Sequence, residues 1–189
     1  MNLGELKEAV LEQFDGRYET DVIRHINKAL TELAINSKQL KRDTISVSNG
    51  EANIPADCLI IKQVYHKNRR LEQYMGDNVP ETQASKNPVN WLKDGNKITL
   101  IPALTSGDIQ LVYTKKPDVL TNDNDTHDFD SADEYIIAHA TWKTFVETQG
   151  VSNETIYWKN EAREELERWK ELNNMQEQRP RKVRTRPFL

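Results

Sequence analysis

The chain has 189 residues and a formal net charge of −4, with 37% hydrophobic and 30% charged side chains, a polar balance for a compact globule. That length suits one domain, or one domain carrying an insertion, and a substantial core. No apolar run approaches the roughly 18 residues of a membrane span, Met1-Asn-Leu-Gly-Glu-Leu6 lacks the basic start of a signal peptide, and a single cysteine, Cys58, excludes an intramolecular disulfide and a cysteine-based zinc cluster. The expectation is an intracellular protein with no membrane contact.

Leu3, Leu6, Val10 and Phe14 repeat at helical spacing and predict a first helix ended by Gly16. A second follows, with Thr20 as cap, Asp21 at its positive end and an apolar stripe of Ile23, Ile26, Leu30 and Leu33. From Asp43 the period drops to two. Thr44 to Ser48 and Glu51 to Ile54 flank Asn49-Gly50, a dipeptide suited to a tight hairpin, and a two-residue loop sets Val47 against Ala52 and Ile45 against Ile54. Pro55-Ala-Asp57 then leads into a buried strand from Cys58 to Tyr65, with Cys58 as a small hydrophobe, and a Lys67-Asn68 turn returns the chain through Leu71. Residues 73–90, with Gly76, Pro80 and Pro88, read as a surface excursion. A second hairpin joins Trp91 to Lys93 and Lys97 to Ile101 around Asp94-Gly95, Pro102 stops it, and Ile109, Leu111 and Tyr113 alternate in a last strand ending at Pro117. Residues 43–117 therefore predict an inserted antiparallel β domain of about six strands.

Helices resume after the acidic linker Asp118 to Asp130. Ser131-Ala-Asp-Glu134 has the form of a capping box, so a helix is expected from Ala132, presenting Ile136, Ile137, Ala140 and Phe145 and ended by Gly150. The last helix, capped by Ser152 or Asn153, is expected to run to about Gln178 with Trp158, Ala162, Leu166, Trp169 and Leu172 on one side, and with Glu164 and Arg168 at pairing distance. The predicted class is α+β: a four-helix body from residues 1–42 and 118–178, the β insertion at 43–117, and an extended basic C-terminal arm at 179–189. That arm carries Arg179, Arg181, Lys182, Arg184 and Arg186 and no acid, so taking its +5 from the chain's −4 leaves −9 on residues 1–178. Pro180 and Pro187 limit helix and strand pairing, and such a segment is ordered by a partner. Two kinds fit, nucleic acid, which rewards cations regardless of sequence, or a protein with an acidic groove that also holds Phe188 and Leu189; the plain alternative is a solvated tail with no role.

No catalytic or cofactor-binding constellation emerges, and no enzyme is predicted. The four histidines, His25, His66, His127 and His139, fall on four elements without ligand spacing, and with seven glycines there is no phosphate-cradling loop, dinucleotide fingerprint or nucleophile elbow. Asp123, Asp125, His127 and Glu134 occupy positions 1, 3, 5 and 12 of a calcium-loop count. Asp128 stands where that loop needs glycine, and neutral His127 is a poor ligand for a hard cation. The segment reads as a helix-entry linker, with no metal expected.

Two amphipathic helices, then Ile45-Ser-Val-Ser-Asn-Gly-Glu-Ala-Asn-Ile-Pro-Ala-Asp57 leading into Leu59-Ile-Ile-Lys-Gln-Val64, then Ile109-Gln-Leu-Val-Tyr-Thr-Lys-Lys-Pro117, an acidic linker and two closing helices make up nearly the whole chain. This layout resembles the head-to-tail adaptor, or connector, proteins of tailed bacteriophages, including the tail tubular proteins of short-tailed phages. The resemblance implies a structural virion protein at the head–tail junction, assembled in the host cytoplasm as a homo-oligomeric ring, with twelve copies the expected number. It implies docking beneath the portal protein through Arg179, Arg181, Lys182, Arg184, Arg186, Phe188 and Leu189, contact with tail or nozzle proteins on the far side, and passage of genomic DNA during ejection. Acids lining the bore would let DNA slide. The alternative is a nucleic-acid-binding protein using the basic tail, with steeply salt-dependent DNA binding.

Overall fold

The computed structural model describes residues 1–14, 18–37, 39–76 and 86–177, with backbone alone for 174–177. Two units partition the chain: Met1–Asn36 with the chain from Pro117 onward, and Ser37–Lys116.

The first unit holds four helices, α1 (Leu3–Leu11), α2 (Glu19–Asn36), α3 (Asp133–Gln149) and α4 (Asn153–Glu177). A capping box opens α1: Asn2 Oδ1 accepts the Glu5 N–H at 2.9 Å, and Glu5 Oε2 accepts the Asn2 N–H at 2.9 Å. Its Leu3, Leu6 and Val10 are buried as their spacing predicts, and Phe14 stacks 4.5 Å from Phe145. The predicted terminator, Gly16, lies outside the described residues. Helix α2 starts at Glu19, so Thr20 sits inside its first turn rather than capping it. Its buried stripe is Val22, Ile26, Ala29, Leu30 and Leu33, with Ile23 only half-buried. Each Val, Leu or Ile among them, fully buried, is worth roughly 1.5–3 kcal/mol in transfer free energy.

The box predicted at Ser131 does not form. Ser131 takes φ 56, Ala132 is the N-cap without a side-chain bond, and α3 begins at Asp133, where Asp133 and Glu134 put negative charge on the helix N-terminus. Gly150, at φ 72, ends α3 as predicted. Ser152 caps α4, its Oγ accepting the Thr155 N–H at 3.2 Å. Thr155, Ala162 and Trp169 are buried along one line of α4, flanked by half-buried Trp158 and Leu166. Leu172 is 44% exposed and falls off that stripe. Arg168 pairs with Glu165, three residues back, instead of Glu164.

The second unit corrects the predicted fold class. In place of an inserted antiparallel β domain of about six strands there are seven: β1 (Leu40–Ser48), β2 (Glu51–Asn53), β3 (Cys58–His66), β4 (Arg69–Gln73), β5 (Asn90–Asp94), β6 (Lys97–Ile101) and β7 (Ser106–Lys115). They close into a barrel in the order β1-β2-β6-β5-β4-β3-β7, with β7 returning to β1. One pair, β4 with β5, is parallel. Hairpin logic assigns each strand to its sequence neighbour, and that is where it fails. Asn49 and Gly50 do take the positive φ values of a two-residue turn, 52 and 83, but the β1–β2 ladder ends after Ser48↔Glu51. Beyond it β1 runs along β7 for nine residues and β2 turns to β6, so Val47 and Ala52 share an interior without being ladder partners. Closure removes the edges that an open sheet would expose. The parallel pair needs a long connection rather than a hairpin, and the chain between Gln73 and Asn90 provides the length.

Side chains pointing inward fill the barrel: Val47, Val64, Leu71, Trp91, Ile98, Leu100, Ile109, Leu111 and Tyr113 are all buried in one cluster, with half-buried Cys58 packed against it. Gly50 is required twice over, since a Cβ there would meet Ala103 Cβ at 2.8 Å and φ is +83. The Lys67-Asn68 turn joins β3 to β4 as predicted, with Val64 opposite Leu71. In the next hairpin the turn is Gly95-Asn96, one residue later than expected, because Asp94 pairs with Lys97.

Candidate assembly surfaces

The residues predicted to dock a portal, Arg179, Arg181, Lys182, Arg184, Arg186, Phe188 and Leu189, lie outside the described residues. The acidic stretch that invited a calcium reading has other occupations. The carbonyls of Asp125 and Asp123 accept the Leu3 and Gly4 N–H groups at 2.8 and 3.0 Å, satisfying donors that every helix N-terminus leaves open. Lys7 Nζ bridges Asp123 at 2.9 Å and Glu19 at 2.7 Å. Asp125 Oδ2 accepts the Thr121 and Asn122 N–H groups, each at 2.8 Å, which holds its carboxyl below the usual range. His127 Nδ1 accepts the Phe129 N–H at 3.2 Å, so Nε2 carries the proton and donates to Asp133 Oδ1 at 2.8 Å. Among the described residues no three His, Cys, Asp or Glu side chains converge as a metal site, and no helix is long and apolar enough to cross a membrane.

Two motifs quoted from the sequence meet in space. Asp57, ending Pro55-Ala-Asp57, and Tyr113, opening Tyr-Thr-Lys-Lys-Pro117, close one end of the barrel interior. Tyr113 Oη lies 2.7 Å from Asp43 Oδ2 and 2.9 Å from Asp57 Oδ1. A phenol has one proton for two acceptors, and Lys41 neutralises the excess charge with Nζ 3.0 Å from Asp43 and 2.9 Å from Asp57. The Lys41 ammonium and the Tyr113 hydroxyl hold the Asp57 and Asp43 carboxyls below their usual range, and burial pushes the Tyr113 hydroxyl up. The Lys116 N–H adds a 2.7 Å bond to the Asp57 carbonyl. This network is a latch across β1, β7 and the turn before β3.

The helical unit arranges its polar groups differently. His25 on α2 is fully buried, its Nε2 3.1 Å from Glu147 Oε2, yet neither ring nitrogen makes a hydrogen bond of ordinary geometry. His139 on α3 is 3% exposed, with Nε2 3.2 Å from Glu32 Oε2 and no partner for Nδ1. Burial lowers the pKa of both histidines, that of His139 to about 4, against the attraction of Glu147 and Glu32. Tyr135, 2% exposed, has a hydroxyl near the Glu32 carboxylate but with no hydrogen bond of ordinary geometry. Thr141 Oγ1 on the same helix is also unpartnered. Of the four histidines that looked scattered along the chain, His25 and His139 are drawn near each other by α2 and α3.

Tyr135 and His139 line an open groove of about 170 Å³ with Trp142 and the Glu32 carboxylate of α2, and α4 supplies Lys159, Arg163 and Leu166 on the other side. Lys143 Nζ sits 3.8 Å over the Trp142 ring. Neither Lys159 nor Arg163 forms an ion pair among the described residues. Reading the sequence for single apolar stripes missed this feature. The available signal was a second stripe: Tyr135, His139 and Trp142 repeat at i, i+4, i+7, and so do Lys159, Arg163 and Leu166.

An aromatic floor beside exposed cations is the composition found at protein–protein contacts rather than at catalytic centres. Residues 1–186 match the SU10 adaptor protein family, and the chain belongs to that family of phage head-to-tail adaptors. It is accordingly a structural phage protein, a virion component that works by contact with other virion components. No curated protein matches the chain.

Proposed function

We propose that the chain forms a ring beneath the portal, docks there through residues 179–189, presents its far side to tail or nozzle proteins, and leaves a bore through which genomic DNA passes at ejection. The observation that carries this reading is the family match over residues 1–186. The charge split supports it: a −9 body disfavours DNA adhesion, while the +5 arm with Phe188 and Leu189 suits a groove that is both acidic and apolar. Repetition around a ring multiplies a weak arm contact into firm attachment, so each arm needs to contribute only a few kcal/mol. The role is mechanical and needs no catalytic group.

The test is native mass spectrometry of the purified chain with its portal, with and without residues 179–189. Loss of the complex on truncation, with the helical and barrel signals of circular dichroism unchanged, is the expected result. Portal binding that survives truncation removes the arm from the docking role. DNA binding that is steeply salt-dependent and disappears with the arm favours the nucleic-acid reading instead.

A further inference from the structure

The groove between α3 and α4 has a matching feature on the opposite side of α4. Tyr157 is 58% exposed although it is a large aromatic, and Glu154 and Glu161 flank it three residues before and four after, on the same helical line. At about 100° per residue, these three side chains lie roughly 120° or more around the helix from Lys159 and Arg163. One face of the unit therefore carries an acid-flanked aromatic knob and another a cation-rimmed aromatic hole. The two cannot meet within one copy.

From this complementarity we infer that Tyr157 of one copy enters the Tyr135–His139–Trp142 groove of the next, with Glu154 and Glu161 facing Lys159 and Arg163. The volume is appropriate: an apolar cavity of about 150 Å³ accommodates benzene, and the groove offers about 170 Å³. The hydrogen-bonding groups are appropriate too. The Tyr157 hydroxyl can both donate and accept, whereas Tyr135 Oη and His139 Nδ1 are buried without partners and His139 Nε2 is engaged by Glu32. A bond from the incoming phenol satisfies one or both. Knob and hole are different patches, so the contact is head-to-tail, and a head-to-tail contact closes into a ring or grows into a filament. This inference rests on the ring reading and gives it a subunit contact.

Charge reversal tests it with the full chain, assembled alone or on portal-bearing heads. Arg163→Glu reverses an exposed charge and Glu161→Arg a half-buried one, and each is expected to lower the yield of closed oligomer by about tenfold or more, with the double variant recovering most of it. Tyr157→Ala, at an exposed position where folding is not at stake, is expected to abolish the oligomer while leaving the circular dichroism spectrum unchanged. A wild-type chain that stays monomeric in both settings overturns the ring reading and this contact with it. Rings that form normally in Tyr157→Ala, or two reversals whose losses add instead of cancelling, overturn the contact alone.

Discussion

The barrel and the helical unit handle buried polarity in opposite ways. In the barrel, the interior hydroxyl of Tyr113 is held by two carboxylates and a lysine, and all the strands pair on both sides. Among the described residues, His25, Tyr135, His139 and Thr141 bury polar atoms without partners in the helical unit, against Thr114 Oγ1 alone in the barrel. A buried group left unsatisfied costs about 1–3 kcal/mol, and among the described residues most of that cost falls on α2 and α3, where two of the groups, Tyr135 and His139, line the open groove. The barrel is finished by its own closure. The subunit contact inferred above would thus place recognition on the helical unit and leave the barrel as a self-contained element.

Breaking the barrel's latch gives the largest expected effect. Tyr113→Phe removes the only phenol between Asp43 and Asp57 and leaves their mutual repulsion to Lys41 alone. A hydrogen bond to a charged acceptor is worth about 1.5–3 kcal/mol, so the barrel is expected to lose about 2–3 kcal/mol. Urea unfolding followed through Trp91 fluorescence, in a background with the other tryptophans replaced by phenylalanine, measures it. A variant as stable as its parent would mean that the network merely occupies the site.

Acid sharpens the same contrast. His25 and His139 have folded-state pKa values below the ordinary histidine value of about 6.5, because burial disfavours their charged forms. The unfolded chain binds those protons more readily, so their contribution to stability is intact above about pH 6.5 and is lost as pH falls toward 4. Asp43 and Asp57 are also depressed, but from an ordinary value near 4, so the latch holds through that window and weakens only below it. The charged groups around the two histidines are Glu32, Glu147, Arg24, Lys28 and Lys143. His66, buried in the barrel beside Lys67, shifts in the same direction, so the comparison is made in a His66→Gln background, which removes that contribution from the barrel. Hydrogen exchange at about pH 7 and pH 5, corrected for intrinsic rates, is expected to show α2 and α3 opening while β1, β3 and β7 stay protected. His25→Leu should flatten part of that response. Barrel amides that open first would reverse the assignment.

Much of this was legible in the sequence, for reasons that differ between the units. Local signals carried their own geometry: Asn49-Gly50, Lys67-Asn68 and Gly150 each required a positive φ and adopted it. The alternation Ile109, Leu111, Tyr113 placed three core residues correctly. Partner choice was not local. Nothing within residues 40–53 says that β1 pairs with β7, and closure follows from the long strand β7 having a neighbour on each side. The Ser131 box failed for the converse reason, since linker contacts fix the entry to α3 before a side chain can cap it. The groove escaped notice because its residues are aromatic and basic on faces already credited to the core and to solvent.

Two of the barrel's hairpin turns offer the smallest and most local test. At Asn49-Gly50 the positive φ values fall on residues that tolerate them, whereas at the β3–β4 turn Lys67 holds φ 48 and Asn68 φ 64. A lysine in the left-handed region carries a strain of about 1–2 kcal/mol that asparagine partly avoids through its own backbone contacts. Lys67→Asn leaves the ladder from Val64↔Leu71 to His66↔Arg69 untouched. It is expected to raise barrel stability by about 0.5 kcal/mol, read as a higher urea midpoint at unchanged slope. Because the substitution acts only on that turn, α2 and α3 amides should exchange as before. A rise in protection of the helical unit as well would mean that the two units unfold as one, and the division of labour between them would have to be abandoned.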